Sequence, residues 1–184
     1  MNLANRLTFG RMALVIPLTF FLLSPTIKNN FWWAVLVFVV ACATDSLDGW
    51  VARKFNQVTD LGKFLDPIAD KMLIVCALIC LVQLRIIGAV PVIIVVMREF
   101  GVTSLRLLAS GKNVVIAADA WGKAKTVVQV SCVLCLTIWT ALRNLDNAST
   151  RTLGTICGWL PWIMAGVTVI SGTNYVWRHL DLLG

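Results

Sequence analysis

Apolar residues in this chain are gathered into six long runs that are separated by short polar stretches. The runs cover about residues 13–23, 31–50, 67–84, 86–108, 121–142 and 153–177. Most of them approach the roughly 20 residues that a helix needs to cross the hydrocarbon core of a bilayer. The pattern therefore predicts a single domain, residues 1–184, that is an all-α integral membrane protein with six transmembrane helices.

Composition supports this interpretation. Of the 184 residues, 59% are hydrophobic, eight are Trp and only 14% are charged, and the mean hydropathy is +0.84. The net charge of +7 would suit a nucleic acid partner, but the basic residues are dispersed among the apolar runs instead of forming one cluster. We therefore expect no nucleic acid partner, and we attribute the positive charge to contact with anionic membrane lipids.

The distribution of basic residues also predicts an orientation. If all six runs cross the membrane, twelve Lys and Arg residues fall on one side and four fall on the other. Positive charge accumulates on the cytoplasmic side of membrane proteins. We therefore expect both termini, and a polar cavity built around the acidic residues of positions 45–70, to face the cytoplasm.

The start of the chain is open to more than one interpretation. A basic stretch before a short apolar run also fits a secretory signal peptide, but no cleavage pattern of small residues follows, and Pro25 begins a predicted turn. Asn5, Thr8 and Arg11 recur at intervals of three, so they share one face of a helix. Such a face either lines a site or is the ordinary polar end of an interfacial helix.

Four aspartates stand at helical intervals where the second run ends and the third begins. Asp45 and Asp48 are three residues apart, and Asp66 and Asp70 are four apart. Residues at these intervals share a helix face, so each pair presents two carboxylates in one direction. A solvated acidic loop or a pair of helix caps is the alternative, but carboxylates flanked by apolar spans are costly and are usually functional.

Carboxylates that converge between two helices repel one another unless a cation lies among them. Ligands made only of oxygen select hard cations such as Mg²⁺ or Mn²⁺. Two such ions a few ångströms apart are the common arrangement for displacement at phosphorus, because together they neutralise charge on the attacking and leaving oxygens. The aspartates therefore predict a site for two divalent cations.

Small residues accompany the carboxylates. Gly49 and Ala52 fall close to the face of the first aspartate pair and leave space there. Gly62 permits a sharp backbone turn or the close approach of a ligand. We predict a polar turn at residues 56–63 and the start of the third helix at Pro67, because proline is favoured at the first helical position.

A second group of charges lies farther along the chain. Arg98, Glu99 and Arg106 fall in one sector of the fourth helix, where they form either an internal ion pair or a pocket for an anion. Lys123 and Lys125 are about 200° apart on a helix, so we do not expect both to face one pocket. Lys123 is the stronger candidate, and for Lys125 the alternative is that its side chain snorkels to the interface. Cations at these positions favour a phosphorylated substrate over a neutral alcohol.

The acidic stretch also carries a known signature. Its spacing, Asp45-x2-Asp48-Gly49-x2-Ala52-Arg53-x8-Gly62-x3-Asp66-x3-Asp70, resembles the complete signature of the CDP-alcohol phosphatidyltransferases. The resemblance implies a homodimeric enzyme of the bacterial inner membrane, in which an alcohol attacks the diphosphate of a CDP-linked lipid and releases CMP. It also implies that Asp70 accepts the proton of the alcohol.

The resemblance further implies where the substrates bind. Bacterial members of the family often begin with a similar N-x-x-T-x-x-R, near the nucleotide. The residues expected to bind CDP-diacylglycerol are Asn5, Thr8, Thr44, Asp48, Gly49, Ala52, Arg53 and Gly62.

The acceptor is inferred from the later part of the chain. The order Arg98-Glu99, Arg106 and then Trp121-Gly122-Lys123-Ala124-Lys125-Thr126 is similar to bacterial members of the family whose acceptor is sn-glycerol 3-phosphate. The phosphate of the acceptor is then expected to contact Arg98, Arg106, Lys123 and Lys125. Inositol phosphate is an alternative acceptor. A divalent-cation transporter is a further alternative, although its acids would need to follow a path across the bilayer and here they are confined to one end.

Overall fold

The structure is a computed structural model that describes the backbone of residues 3–55, 60–111, 120–143 and 148–178. Within these ranges it describes the side chains of residues 8–44, 68–69, 71–107, 121–143 and 152–178. The described residues form six α-helices, and each predicted apolar run lies largely within one of them, so the all-helical prediction is confirmed. The helices are α1 (Leu3–Leu23), α2 (Asn30–Phe55), α3 (Asp60–Gln83), α4 (Ala89–Gly111), α5 (Ala120–Leu142) and α6 (Ala148–Arg178).

The helices pack as two groups that share one core. Helix α1 packs against α2 and α3, while α4 and α5 both pack against α6. Contacts of α2 with α5, and of α3 with α4 and α5, join the two groups. Ala34, Ala41 and Ala77 are completely buried and let the helix backbones approach closely, while Leu78 and Leu136 fill the space between them.

The distribution of side chains is that of a membrane protein. Ile16, Met97 and Trp177 are exposed by 73%, 71% and 78%, whereas Glu99 and Lys125 are buried. An apolar exterior combined with charged side chains buried inside fits hydrocarbon as the surrounding solvent. Two described segments, Trp121–Leu142 and Thr152–Arg178, are also long and apolar enough to cross a bilayer.

Two described residues in the connections between helices adopt a left-handed backbone conformation without being glycine. Asn29, between α1 and α2, has a φ of 60°, and Arg85, after α3, has a φ of 56°. Beyond α3, the amide of Arg85 donates to the carbonyl of Val82 at 2.9 Å, and the amide of Ile86 donates to that of Leu81 at 3.0 Å. This pair of bonds is the Schellman motif. It explains why α4 begins at Ala89 and not at Ile86, where the apolar run begins.

The predicted start of the third helix was wrong. Helix α3 begins at Asp60 and continues through Pro67, so the signature carboxylates of this helix lie well inside it. Pro67 lacks an amide hydrogen, which removes one intrahelical hydrogen bond without preventing the turns on either side from forming. Part of the predicted polar turn, residues 56–59, lies outside the described residues. Helix α6 likewise begins earlier than predicted, at Ala148.

Candidate active site

The two aspartate pairs lie on consecutive helices. Asp45 and Asp48 lie in the last part of α2, and Asp66 and Asp70 lie in the first half of α3. Both segments are helical and the two helices contact each other, so the spacing places each pair on one helix face. This set of oxygen donors fits a hard divalent cation such as Mg²⁺ or Mn²⁺. The side chains themselves lie outside the described part of the chain.

The residues predicted to bind the nucleotide are described only in part. Thr8 is buried on α1, the helix that packs against both α2 and α3. Its helical neighbour Arg11 is buried as well. Thr44 uses its hydroxyl to donate a hydrogen bond of 2.8 Å to the carbonyl of Val40, one turn earlier in α2. The side chains that lie outside the described residues are those of Asn5, Asp48, Gly49, Ala52, Arg53 and Gly62.

A polar cavity of about 390 Å³ opens between α3, α4, α5 and α6. Lys71, which directly follows Asp70 in the chain, is one of its lining residues, so the cavity adjoins the last position of the aspartate signature. Among the described residues, five cationic side chains and a single anion line it, so this part of the lining has a net positive charge. The charged lining residues are Lys71, Arg98, Glu99, Arg106, Lys123 and Lys125.

Glu99 is the centre of a buried network that ties α4 to α5. Its Oε1 accepts hydrogen bonds from Arg98 Nη1 at 3.3 Å and from Gln129 Nε2 at 3.2 Å, and it forms an ion pair with Lys125 Nζ. The side chains of Glu99 and Lys125 are only 4% and 11% exposed. A charge that is buried this deeply needs a partner of opposite sign. Glu99 therefore neutralises part of the positive charge at the base of the cavity.

Helix α6 completes the network from the other side. Arg98 Nη2 donates a hydrogen bond of 2.8 Å to Ser171 Oγ. Gln129, which donates to Glu99, also lies 3.5 Å from the hydroxyl of Thr168. The polar groups of α4 and α5 are thus bonded to α6 at the level of the cavity.

The outer part of the cavity holds cations that a ligand can reach. Arg106 is exposed, and its guanidinium lies over the ring of Tyr175, with 5.4 Å between Cζ and the ring centroid. Lys123 is also exposed at the edge of the cavity. The charges therefore differ along the cavity. Near Glu99, at the base, the cations are paired, whereas at the mouth the positive charge is accessible to a ligand.

The structure brings the four predicted acceptor residues together, since all of them line this one cavity. The expectation that Lys123 and Lys125 would not both face one pocket was wrong, because both line this cavity. The cavity extends around α5, and Lys125 has a stem long enough to reach Glu99 from its own side of the helix. The sequence left two alternatives for Arg98, an internal ion pair or a pocket for an anion. Arg98 does both, because it pairs with Glu99 and also lines the cavity.

Sequence reasoning missed several cavity residues, among them Lys71, Ser171 and Tyr175. Lys71 could have been found from its place beside Asp70 at the start of an apolar span. Thr168, Ser171 and Tyr175 follow one another at intervals of three and four in the sixth apolar run. That spacing places polar groups on one face of a spanning helix, which is a signal for a lined cavity.

Comparison with known proteins agrees with this geometry. A family model described as CDP-alcohol phosphatidyltransferase matches residues 1–170. A protein of Bacillus subtilis (strain 168) named CDP-diacylglycerol–glycerol-3-phosphate 3-phosphatidyltransferase is 36% identical, and the match covers 99% of this chain and 97% of that protein. Proteins of the same name from Rickettsia bellii and Rickettsia felis are 36% and 33% identical, each over 95% of this chain and 93% of their own length.

Proposed function

This chain belongs to the CDP-alcohol phosphatidyltransferase family, and we propose that it transfers the phosphatidyl group of CDP-diacylglycerol to sn-glycerol 3-phosphate. The products are phosphatidylglycerophosphate and CMP, so the enzyme is a transferase of phospholipid biosynthesis. The proposal is supported by the relatives that are named for this reaction and that match almost the whole chain.

The observation that carries the choice of acceptor is the basic cavity beside Asp70. Lys71 follows Asp70 in the chain and lines the same cavity as Arg106 and Lys123. A neutral alcohol gains little from such a cavity, whereas a phosphate ester gains several charge-assisted hydrogen bonds. An acceptor whose phosphate lies against these cations has its hydroxyl groups close to the aspartate signature.

The divalent cations are part of the proposal. Asp45, Asp48, Asp66 and Asp70 would hold two ions, either Mg²⁺ or Mn²⁺, because helical spacing gives each helix a pair of carboxylates and oxygen ligands suit these metals. When bound, the cations neutralise negative charge on the diphosphate of the lipid and on the CMP that departs.

The residues of the chain have separate roles in the transfer. The acceptor hydroxyl oxygen forms a bond to the phosphorus that carries diacylglycerol, and the bond from that phosphorus to CMP breaks. Asp70 receives the hydroxyl proton, a role for which its position is more important than its basicity. Arg98, Arg106, Lys123 and Lys125 bind the phosphate of the acceptor. The CDP-lipid contacts Asn5, Thr8, Thr44, Asp48, Gly49, Ala52, Arg53 and Gly62.

Replacement of Arg106 tests the acceptor site. We expect Arg106→Ala to raise the KM for sn-glycerol 3-phosphate by roughly 10- to 100-fold, the loss that follows from removing a hydrogen bond to a charged group. The KM for CDP-diacylglycerol should stay close to that of the unmodified enzyme, because Arg106 lies in the acceptor cavity. Steady-state kinetics with each substrate varied in turn measures both values.

A matched control for this variant is Arg143→Ala, which removes an exposed arginine after α5 that does not line the cavity. It should change neither KM. An Arg106→Ala enzyme in which the KM values of the two substrates rise equally would contradict the placement of the acceptor phosphate.

The enzyme is also proposed to be a homodimer of the inner membrane, with six spans and with both termini and the cavity on the cytoplasmic side. Cysteines introduced at Lys28 and Arg178 test the orientation. A membrane-impermeant maleimide added to intact cells should label Lys28→Cys and spare Arg178→Cys, with the parent protein as background. The reverse labelling would contradict the proposed orientation.

The proposed homodimer has its own test. Light scattering in detergent should give twice the chain mass of 20.2 kDa, and the mass of one chain would exclude the dimer.

A further inference from the structure

Arg98 reaches the cavity by lying across a glycine of the neighbouring helix. A methyl group at Gly172 of α6 would stand 2.9 Å from Arg98 Cγ, 3.5 Å from Nε and 3.8 Å from Cδ. The first distance is shorter than carbon atoms tolerate without bonding, so any side chain at position 172 must displace Arg98. The contact involves Cγ, close to the backbone of α4, so a displacement there shifts the entire side chain.

The far end of Arg98 is fixed as well. Nη2 donates to Ser171 Oγ at 2.8 Å, and Nη1 donates to Glu99 Oε1 at 3.3 Å. The side chain is only 10% exposed. Because one end rests on Gly172 and the other is bonded on two sides, the guanidinium has one preferred direction.

The second arginine of α4 rests on the same helix. Arg106 lies over the ring of Tyr175, which is four residues after Ser171 and therefore on the same face of α6. The ring face attracts the guanidinium and limits its rotation. Consecutive turns of α6 thus support both arginines at the wall of the cavity.

We infer that Ser171, Gly172 and Tyr175 are positioning residues that direct Arg98 and Arg106 into the cavity and so determine selectivity for a phosphorylated acceptor. The inference rests on the proposed function, because it takes the two arginines as ligands of the acceptor phosphate. Guanidinium groups bind phosphate through hydrogen bonds whose geometry is fixed. A small displacement therefore weakens binding even though the charge remains in place.

The most direct test is Gly172→Ala. Displacement of Arg98 should raise the KM for sn-glycerol 3-phosphate on the order of tenfold, as expected when a hydrogen bond between charged groups is lost. The KM for CDP-diacylglycerol should be unchanged, which separates positioning from general damage to the fold. Gly166→Ala is the matched control, since this glycine is on the same helix and a methyl group there meets nothing within 4 Å. An equal rise of both KM values in Gly172→Ala would overturn the inference.

A second set of variants keeps the inference testable if Gly172→Ala fails to fold. Ser171→Ala removes the hydroxyl that bonds Arg98, and it should raise the acceptor KM, while Ser171→Thr keeps a hydroxyl and should restore it toward the unmodified value. Tyr175→Phe keeps the ring beneath Arg106, whereas Tyr175→Leu removes it, so only the latter should raise the acceptor KM. Failure of Ser171→Thr to rescue would count against the role of the hydroxyl.

Arg98→Ala distinguishes a failure of this inference from a failure of the proposed function. If Arg98→Ala leaves the acceptor KM unchanged, the acceptor site itself is wrong. If it raises that KM while Gly172→Ala and Ser171→Ala do not, only the positioning role is wrong. If the inference holds, Gly172→Ala should add nothing to the loss in an Arg98→Ala background, because its effect passes through that side chain.

Discussion

Asp70→Asn should abolish the transfer reaction while leaving the protein folded in the membrane. The change keeps the size of the side chain but removes both the negative charge that we propose to hold a cation and the group that we propose to receive the acceptor proton. Loss of a general base alone costs typically 10²- to 10⁴-fold in rate, and loss of a metal ligand adds to it. CMP release from CDP-diacylglycerol by the purified variant measures the effect.

Asp60→Asn is the matched control for this variant. Asp60 is the first residue of α3, the helix that contains Asp70, and it occupies one of the unspecified positions of the signature. The Asp60→Asn enzyme should retain most of the activity of the unmodified enzyme. Both variants should keep the melting temperature of the unmodified protein. Substantial CMP release by Asp70→Asn would contradict the assignment of Asp70 as proton acceptor.

Glu99→Gln should destabilise the protein strongly. The change leaves the buried Lys125 and the mostly buried Arg98 without the anion that now pairs with both. Removing one member of a buried ion pair typically costs about 3–5 kcal/mol, which for a chain of this size lowers the melting temperature on the order of 10 °C. Thermal unfolding in detergent, followed by circular dichroism, measures the change. Lys28→Gln, which removes an exposed cation, should have little effect.

A double variant tests the cause of this loss. Glu99→Gln leaves two cations, Arg98 and Lys125, without their anion. Combining it with Lys125→Met replaces one of these cations with an apolar side chain of similar length. The melting temperature of the double variant should lie closer to the unmodified protein than that of Glu99→Gln alone, because exchange of a buried pair for apolar groups is often neutral. Additive losses, with the double variant the least stable, would contradict a pairing role for Glu99.

Much of the fold was predictable because each helix is encoded by its own apolar run. The positions of α2 and α5 follow from where the apolar runs lie in the sequence. A segment that spans a membrane must satisfy its backbone hydrogen bonds internally and is therefore helical. The boundaries were less predictable. The preference of proline for the first helical position predicts a helix start at Pro67, yet α3 extends back to Asp60. The preference of a single residue therefore did not determine this boundary.

The candidate site was predictable where spacing within one helix determines it. The aspartate pairs and the arginines of α4 follow from intervals of three, four and eight residues. The partners supplied by other helices could not be predicted in this way. That Lys125 reaches Glu99, or that Arg98 lies on Gly172, depends on how α4, α5 and α6 pack, and no periodicity within a single helix specifies that packing.

The measurement that tests the central claim most directly is CMP release by the detergent-purified protein with CDP-diacylglycerol and Mg²⁺. Parallel reactions contain sn-glycerol 3-phosphate, inositol phosphate, serine or no acceptor. We predict CMP only in the reaction with sn-glycerol 3-phosphate. CMP formed only with another acceptor would contradict the assignment of the basic cavity, and no CMP with any acceptor would contradict the proposed reaction.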